Sequence, residues 1–486
     1  MRLKALIIAA IFVAALAPRF LFLDSIDFAP LRQARSAIIA RAMYYEKNPA
    51  IPEWKKEVSR AQLKMESHLE PRILENIAVM GYQWFGGEKL WIPRSVSIIC
   101  WGIGGLFLFL IALRISGSID YALLPTLAYL FLPFPAVASR GFQPDPMMIM
   151  FFLAGLYAQV RYFKDKSASW LIVAGVLSAT AILVKPHCIF PLFGAFFAMS
   201  LWEKGFWKTL LSLPLYAFGL LSLTFGFGYY LMENMHNTSG DMALNTWVHA
   251  DYWIKPAYWG GWLMQIRQVV SFPLFVTGIV GLVWFHRGLA KAALIGMWAA
   301  YLAFGLFFAH HISTHDYYHL FFVPIVVLSA APVFYAAFEL LKRKDMVLAL
   351  IVVLGMASIG IQIGVVNFDR HGRWQKNERE IAAEIGERLG HSTKVAYLAI
   401  SEGYPLRYYG EIAGAALNIS NQVIEQNLAK KEIPDPDVFL EGQEYLVVTE
   451  ILEYKRKPQL AEFVESHYPV LAQKPDYIIF DLRKNK

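Results

Sequence analysis

The chain has 486 residues, of which 57% are hydrophobic, 15% aromatic and only 17% charged, with a mean hydropathy of +0.41. That is too apolar for a soluble protein of this length and indicates a polytopic α-helical membrane protein. The formal net charge of +7 is scattered between apolar blocks with no basic-aromatic ribbon, so it reads as membrane topology and excludes nucleic acid as a partner.

A bilayer core takes about 20 apolar residues per helix. About eleven such runs follow in chain order: 5–23, 91–113, 119–138, 146–163, 169–184, 187–202, 210–232, 271–285, 290–309, 319–341 and 346–366. The first could also be a cleavable signal peptide, with a basic start and Ala15-Leu16-Ala17 after the apolar run. The length of the run and Pro18 favour a retained span. Cys100 and Cys188 lie far apart inside apolar runs, without the spacing of a disulfide framework or a cysteine metal site.

With the N-terminus cytoplasmic, the inner loops carry Arg114, Arg161, Lys164, Lys166, Lys204, Lys208, Arg287, Lys291 and 342–344 (Lys-Arg-Lys). The short outer turns carry only Arg140 and Lys185, the asymmetry of the positive-inside rule. Three pieces then fall outside the membrane. A long first loop, 24–90, holds amphipathic helical stretches at 32–46 and 73–85. A second loop, 233–270, is rich in Trp, Tyr and His. Residues 367–486 alternate helical patterns (375–390, 458–467) with strand-like runs (394–400, 444–450, 476–482) and predict a small extracytoplasmic α/β domain behind a transmembrane domain, 1–366.

The ionisable residues gather on that outer face. The first loop supplies Asp24, Asp27, Arg32, Gln33, Arg35, Glu66, His68, Glu70 and Glu75. The second span adds Arg94 at its outer end, and the outer turns add Arg140, Asp145, Lys185, His187 and the stretch HHISTHDYYH, 310–319. Cations at headgroup depth suit a phosphate carried on a lipid, and carboxylates beside them suit general-base work on a hydroxyl or amine. No P-loop or glycine-rich phosphate cradle is present.

These residues resemble the GT-C membrane glycosyltransferases, in the branch of the dolichyl-phosphate-mannose–protein mannosyltransferases and the aminoarabinose transferase of lipid A. The resemblance rests on DSIDFAPLRQARSAIIARAMYYE (24–46), LEPRILENIAVMGYQWFGGEKLWIPRSVS (69–97), SRGFQPDPMMIMFFLAGLY (139–157), ILVKPHCIFPL (182–192) and HDYYHLFFVPIVVL (315–328). It covers roughly residues 1–345. It implies a sugar donor on a polyprenyl phosphate and inverting transfer to a protein, lipid or glycan acceptor at the outer leaflet of a membrane, in bacteria the inner membrane. It implies a first-loop carboxylate as base. No cofactor is expected, a bound divalent metal being the lesser alternative. Many relatives place an Asp-Glu pair in that loop. Here there is none, which leaves Asp27, then Glu70, as the expected bases, with Asp24 a third candidate. The expected substrate-binding residues are Arg32, Gln33, Arg94, Arg140, Asp145, Lys185, His315, Asp316 and Tyr317.

Each has a plainer alternative. Asp27, Asp24, Glu70 and Asp145 could cap helices, Lys185 could snorkel to the interface, and Arg94 and Arg140 could meet lipid headgroups. His311 and His315, and His315 and His319, have the i,i+4 spacing of a zinc pair, but the chain must turn there, so hydrogen bonds to the donor are the favoured role. Two other functions fit the composition: a lipid-linked sugar transporter or flippase, and an O-antigen-type polymerase or ligase. The unlike halves of the chain and the absence of charges at span centres count against the transporter. The early position of the long loop counts against the polymerase.

Overall fold

In a medium without water, backbone N–H and C=O groups must pair within their own segment, so long apolar runs form helices. The computed structural model describes residues 2–24, 26, 30–66, 70–236, 248–341, 344–369, 375–417 and 435–484, and most of them are helical. Among the described residues, three helices are individually long and apolar enough to cross a membrane: Trp91–Ser116, Leu289–Phe307 and Phe322–Leu340. Pro256–Val270 and Phe272–Trp284 pass together but are bent by 90° at Ser271. Ile119–Phe131, Ala168–Val184 and Leu213–Gly226 are shorter apolar helices. The predicted run 119–138 is broken at Leu132, before Pro133. Helix Pro256–Val270 falls within the predicted second loop and buries Tyr258, Trp262 and Ile266.

Local chemistry sets the ends of these helices. Gly117, at φ 70°, closes Trp91–Ser116 in the left-handed conformation that a side chain resists, and its N–H bonds Leu113 O at 2.8 Å. Ser118 then caps the next helix by accepting from the Tyr121 N–H. Glycines allow the tightest crossings. A Cβ on Gly296 would lie 2.1 Å from the carbonyl oxygen of Gly194, so helices Ile189–Lys204 and Leu289–Phe307 meet backbone to backbone. Between other helices the core is aromatic: Trp101 and Tyr129 stack at 4.3 Å.

The first loop folds into helices Pro30–Lys47, Glu53–Lys64 and Ile73–Trp84. The C-terminal part forms a four-stranded sheet of β1 (Val395–Leu398), β2 (Tyr445–Val448), β3 (Val470–Lys474) and β4 (Tyr477–Asp481), in the order β1-β2-β4-β3. β1 and β2 are parallel, with Val395 opposite Tyr445, while β4 runs antiparallel to both β2 and β3. Both faces of the central strands are buried. Helices Gln375–Arg388 and Tyr404–Gly410 cover one face and Pro458–His467 covers the other. Three strands coincide with the predicted runs. β3 was not predicted: it is a mostly exposed edge strand and lacks an apolar pattern.

Candidate active site

Two prolines present the central lysine. Pro186 disfavours helical backbone at the residue before it. Helix Ala168–Val184 therefore stops and Lys185 is extended, at φ −153° and ψ 122°. Its Nζ donates to Asp145 Oδ1 at 2.8 Å, with both side chains almost wholly buried. Asp145 is the first residue of helix Asp145–Asp165, where Pro146 occupies an early position and the helix dipole favours a carboxylate. The rings of Tyr317 and Tyr318 lie 4.9 and 5.1 Å from Lys185 Nζ, close enough for cation–π attraction.

A second ion pair comes from the first loop, where Arg32 donates to Glu70. Burial opposes the charge on Arg32, but Glu70, Tyr317 and Asp145 outweigh it and hold the guanidinium protonated. Burial alone would raise the Glu70 pKa. Arg32, and after it Lys185, more than offset that and keep the carboxylate below its usual range. The two pairs therefore share one field, with Tyr317 and Tyr318 in it as well. Gln33 ties the first loop to the turn carrying Asp145, accepting from the Phe142 N–H at 3.0 Å.

Arg94 and Arg140 are both fully buried. Arg94 donates to Arg140 O at 2.8 Å and Leu23 O at 3.0 Å, and Arg140 to Phe22 O at 2.9 Å. These two predicted binding residues hold backbone carbonyls of the turn leading into the first loop. Arg19, which was not predicted, is buried with them, donating to Ser139 Oγ at 3.0 Å and Leu130 O at 2.7 Å. Asp27, the first-choice base, lies outside the described residues.

The histidine-rich turn is two short helices, Ala309–Thr314 and Asp316–His319, with His315 extended between them. Thr314 Oγ1 donates its single proton to His310 O at 2.6 Å and lies 2.7 Å from His315 Nδ1. Nδ1 must therefore carry the proton, leaving the Nε2 lone pair free to accept. Burial, then His311, His310 and Lys185, push the His315 pKa down to about 3, so the ring is neutral. Asp316 is pushed up to about 6 by burial and accepts from Gln268 Nε2 at 2.9 Å. His319 is a structural anchor: its Nε2 lies 2.8 Å from Ile312 O and its Nδ1 2.7 Å from Tyr301 OH, which accepts from Trp262 Nε1 at 2.8 Å. Among the described residues no group of three or more His, Cys, Asp or Glu side chains is arranged to hold a metal ion.

The structure thus brings Arg32, Glu70, Asp145, Lys185 and Tyr317 together, with His315 and Asp316 on the same turn as Tyr317. Tyr318 and His187 were not predicted as site residues. His187 is buried against Phe304, Tyr318 and Phe321, and its Nε2 has no partner among the described residues. Their adjacency to Tyr317 and Lys185 was the available signal.

Residues 74–227 match the family model for dolichyl-phosphate-mannose-protein mannosyltransferase. No curated protein matches the chain. Among solved structures, ArnT from Cupriavidus metallidurans bound to undecaprenyl phosphate aligns at 16% identity over 97% of each chain, with a TM-score of 0.63. The same protein in its apo state gives 0.65 at 16% identity, over 98% of each chain. The oligosaccharyltransferase of Archaeoglobus fulgidus in its apo form aligns at 9% identity, over 95% of this chain and 73% of that one, with a TM-score of 0.51. At these identities the likeness is one of fold: the chain has the GT-C fold of membrane glycosyltransferases.

Proposed function

We propose that this GT-C fold chain is a membrane glycosyltransferase that moves a sugar from a polyprenyl-phosphate donor to a protein, lipid or glycan acceptor at the outer membrane face, with inversion. The observation that carries the reading is the pair of buried cations, Arg32 and Lys185, brought by separate elements to one end of the bundle. A lipid phosphate leaving the sugar needs its charge stabilised more than it needs a proton, and preorganised cations in a dry site do that well. The ArnT structure that shares the fold holds undecaprenyl phosphate, which supports the same class of donor here.

In the proposed reaction a carboxylate takes the proton of the acceptor hydroxyl or amine, and the freed lone pair attacks C1 of the sugar. The C1–O bond to phosphate breaks on the opposite side, and the polyprenyl phosphate departs as an anion toward Lys185 and Arg32. Asp27 is the proposed base. Glu70 is the second candidate, although Arg32 makes it a weaker base by holding it ionised. The Nε2 of His315 and the hydroxyl of Tyr317 are proposed to hydrogen-bond the donor. Arg94, Arg140 and Gln33 are proposed to shape the site through the backbone they hold.

The test is transfer of labelled sugar from a synthetic polyprenyl-phosphate sugar to cell-envelope acceptors by the purified protein. Asp27→Asn combined with Glu70→Gln is expected to abolish it. Full transfer by the double variant overturns the mechanism. Movement of intact donor between leaflets without transfer replaces the enzyme with a flippase.

A further inference from the structure

A cavity of about 630 Å³ opens at the end of the bundle opposite the site. Helix Asp145–Asp165 links the two: it begins at Asp145 and reaches the cavity wall at Lys164. Its 21 residues at about 1.5 Å each span about 30 Å, the thickness of a hydrocarbon core. The cavity therefore lies at the other headgroup level.

Its rim is basic and aromatic, with Arg287, His286, Lys164 and Trp284. No acidic residue lines it among the described residues. Of the carboxylates nearby, Asp165 pairs with Arg114 and Arg161 and Glu203 with Lys166, while Asp120, next to Tyr121 in sequence, does not line the cavity. Lys164 donates to Arg114 O. Arg287 is exposed and makes no ion pair among the described residues. Trp284 is 62% exposed, with Val283 beside it at 71%, as an aromatic residue at a membrane interface would be.

Inward, the cavity meets a narrow, almost wholly apolar slot of about 20 Å³. The two share Ile115, Tyr121, Val160, Phe285 and Ala290 as walls, and the slot continues to Met297 and Leu328. One compartment offers positive charge to an anion, and the other is lined mainly by hydrocarbon.

We propose that this cavity binds an anionic membrane phospholipid, with its phosphate at Arg287 and an acyl chain directed along the apolar wall. A free phosphate would leave the apolar compartment unused, and a zwitterionic lipid would place a second cation among Arg287, Lys164 and His286. Basic pockets between helices at a headgroup level take anionic lipids by this combination.

Native mass spectrometry of the detergent-purified protein tests it, with phosphatidylglycerol, phosphatidylcholine and glycerol 3-phosphate as probes. One phosphatidylglycerol per chain is expected, bound more tightly than phosphatidylcholine, and not displaced by glycerol 3-phosphate. Arg287→Glu, at an exposed position that leaves the fold intact, is expected to weaken phosphatidylglycerol by more than about fivefold, since one juxtamembrane cation alone contributes about that factor. Ala290→Phe, which narrows the shared wall, is expected to weaken it as well. Equal binding of the two lipids, unchanged affinity in Arg287→Glu, or displacement by glycerol 3-phosphate overturns the proposal. Sugar transfer is not the readout, so the result stands apart from the proposed reaction.

Discussion

Lys185 and Asp145 show what one residue can be asked to do. Both are buried, and removing one partner of a buried pair costs about 3–5 kcal/mol because the other charge is left alone. Lys185→Met is therefore expected to lower the unfolding temperature in detergent. Adding Asp145→Asn is expected to restore much of the stability, because no charge is then stranded. If Lys185 also serves the donor phosphate, the double variant still loses transfer by about 10- to 100-fold, from a charge-assisted contact of about 1.5–3 kcal/mol. A stable double variant with full activity would remove Lys185 from the donor site. His315 gives a prediction in pH. Its folded pKa of about 3 lies below the unfolded value of about 6.5. The stability it contributes is thus present above about pH 6.5 and is lost as pH falls toward 3, because the unfolded chain takes up a proton that the folded one refuses. Asp316 acts in the opposite sense, so the informative quantity is a difference: His315→Asn is expected to narrow the gap in unfolding temperature between pH 7 and pH 5. An unchanged gap would mean the ring is not held neutral by its surroundings.

At the level of elements, proline and glycine made much of the fold legible. Lys185-Pro186 ends a helix where the dipeptide demands extended backbone, and Pro458–His467 coincides with the predicted helical stretch. The helix crossing at Gly194 and Gly296 was not legible, because nothing in either apolar run says which glycine faces a partner. A Cβ at Gly296 would strike the Gly194 carbonyl at 2.1 Å, and backbone on both sides leaves no flexible atom to move. Gly296→Ala is expected to destabilise by about 1–3 kcal/mol, the range for overpacking, measured as a lower unfolding temperature. Gly260→Ala, with no atom within 4 Å of the added carbon, serves as the control. If both variants melt alike, the close crossing is not a constraint. β3 escaped sequence reading for a related reason. An edge strand exposed on both faces is held by pairing with β4 rather than by burial, so its residues carry no periodic apolar signature.

At the scale of the whole molecule, the C-terminal unit is bolted to the first loop. Glu66 is buried and takes Arg35 at 2.9 Å, Arg407 at 2.9 Å and the Tyr404 hydroxyl at 2.9 Å. Gln62 Nε2 donates to Arg407 O at 2.8 Å and Ile412 O at 2.7 Å. Arg41 pairs with Glu88 at 2.8 Å, donates to Tyr408 O at 2.6 Å and lies 4.0 Å from the Tyr408 ring. Glu66→Gln leaves two buried guanidinium groups against a neutral amide. Hydrogen exchange is expected to rise together in helices Glu53–Lys64 and Tyr404–Gly410, while β2 and β4 stay protected by their own core. Exchange that rises only within the first loop would show that Glu66 does not hold the two parts together.

Hydropathy, the distribution of lysine and arginine, and the placement of prolines determined by sequence alone that the chain is a helical membrane protein with a small α/β end. They follow from local periodicity and the cost of burying unpaired backbone. The sequence, together with its family resemblance, also marked Arg32, Glu70, Asp145, Lys185 and Tyr317 as candidate site residues. Only the tertiary structure decided which charge answers which: Arg32 to Glu70, Lys185 to Asp145, Glu66 to Arg35 and Arg407. It also turned Arg94 and Arg140 toward backbone carbonyls and fixed the protonated nitrogen of His315. Pairing depends on distances between segments as much as 367 residues apart, as for Arg41 and Tyr408. Those distances are set by how apolar helices pack, which no local pattern of residues encodes.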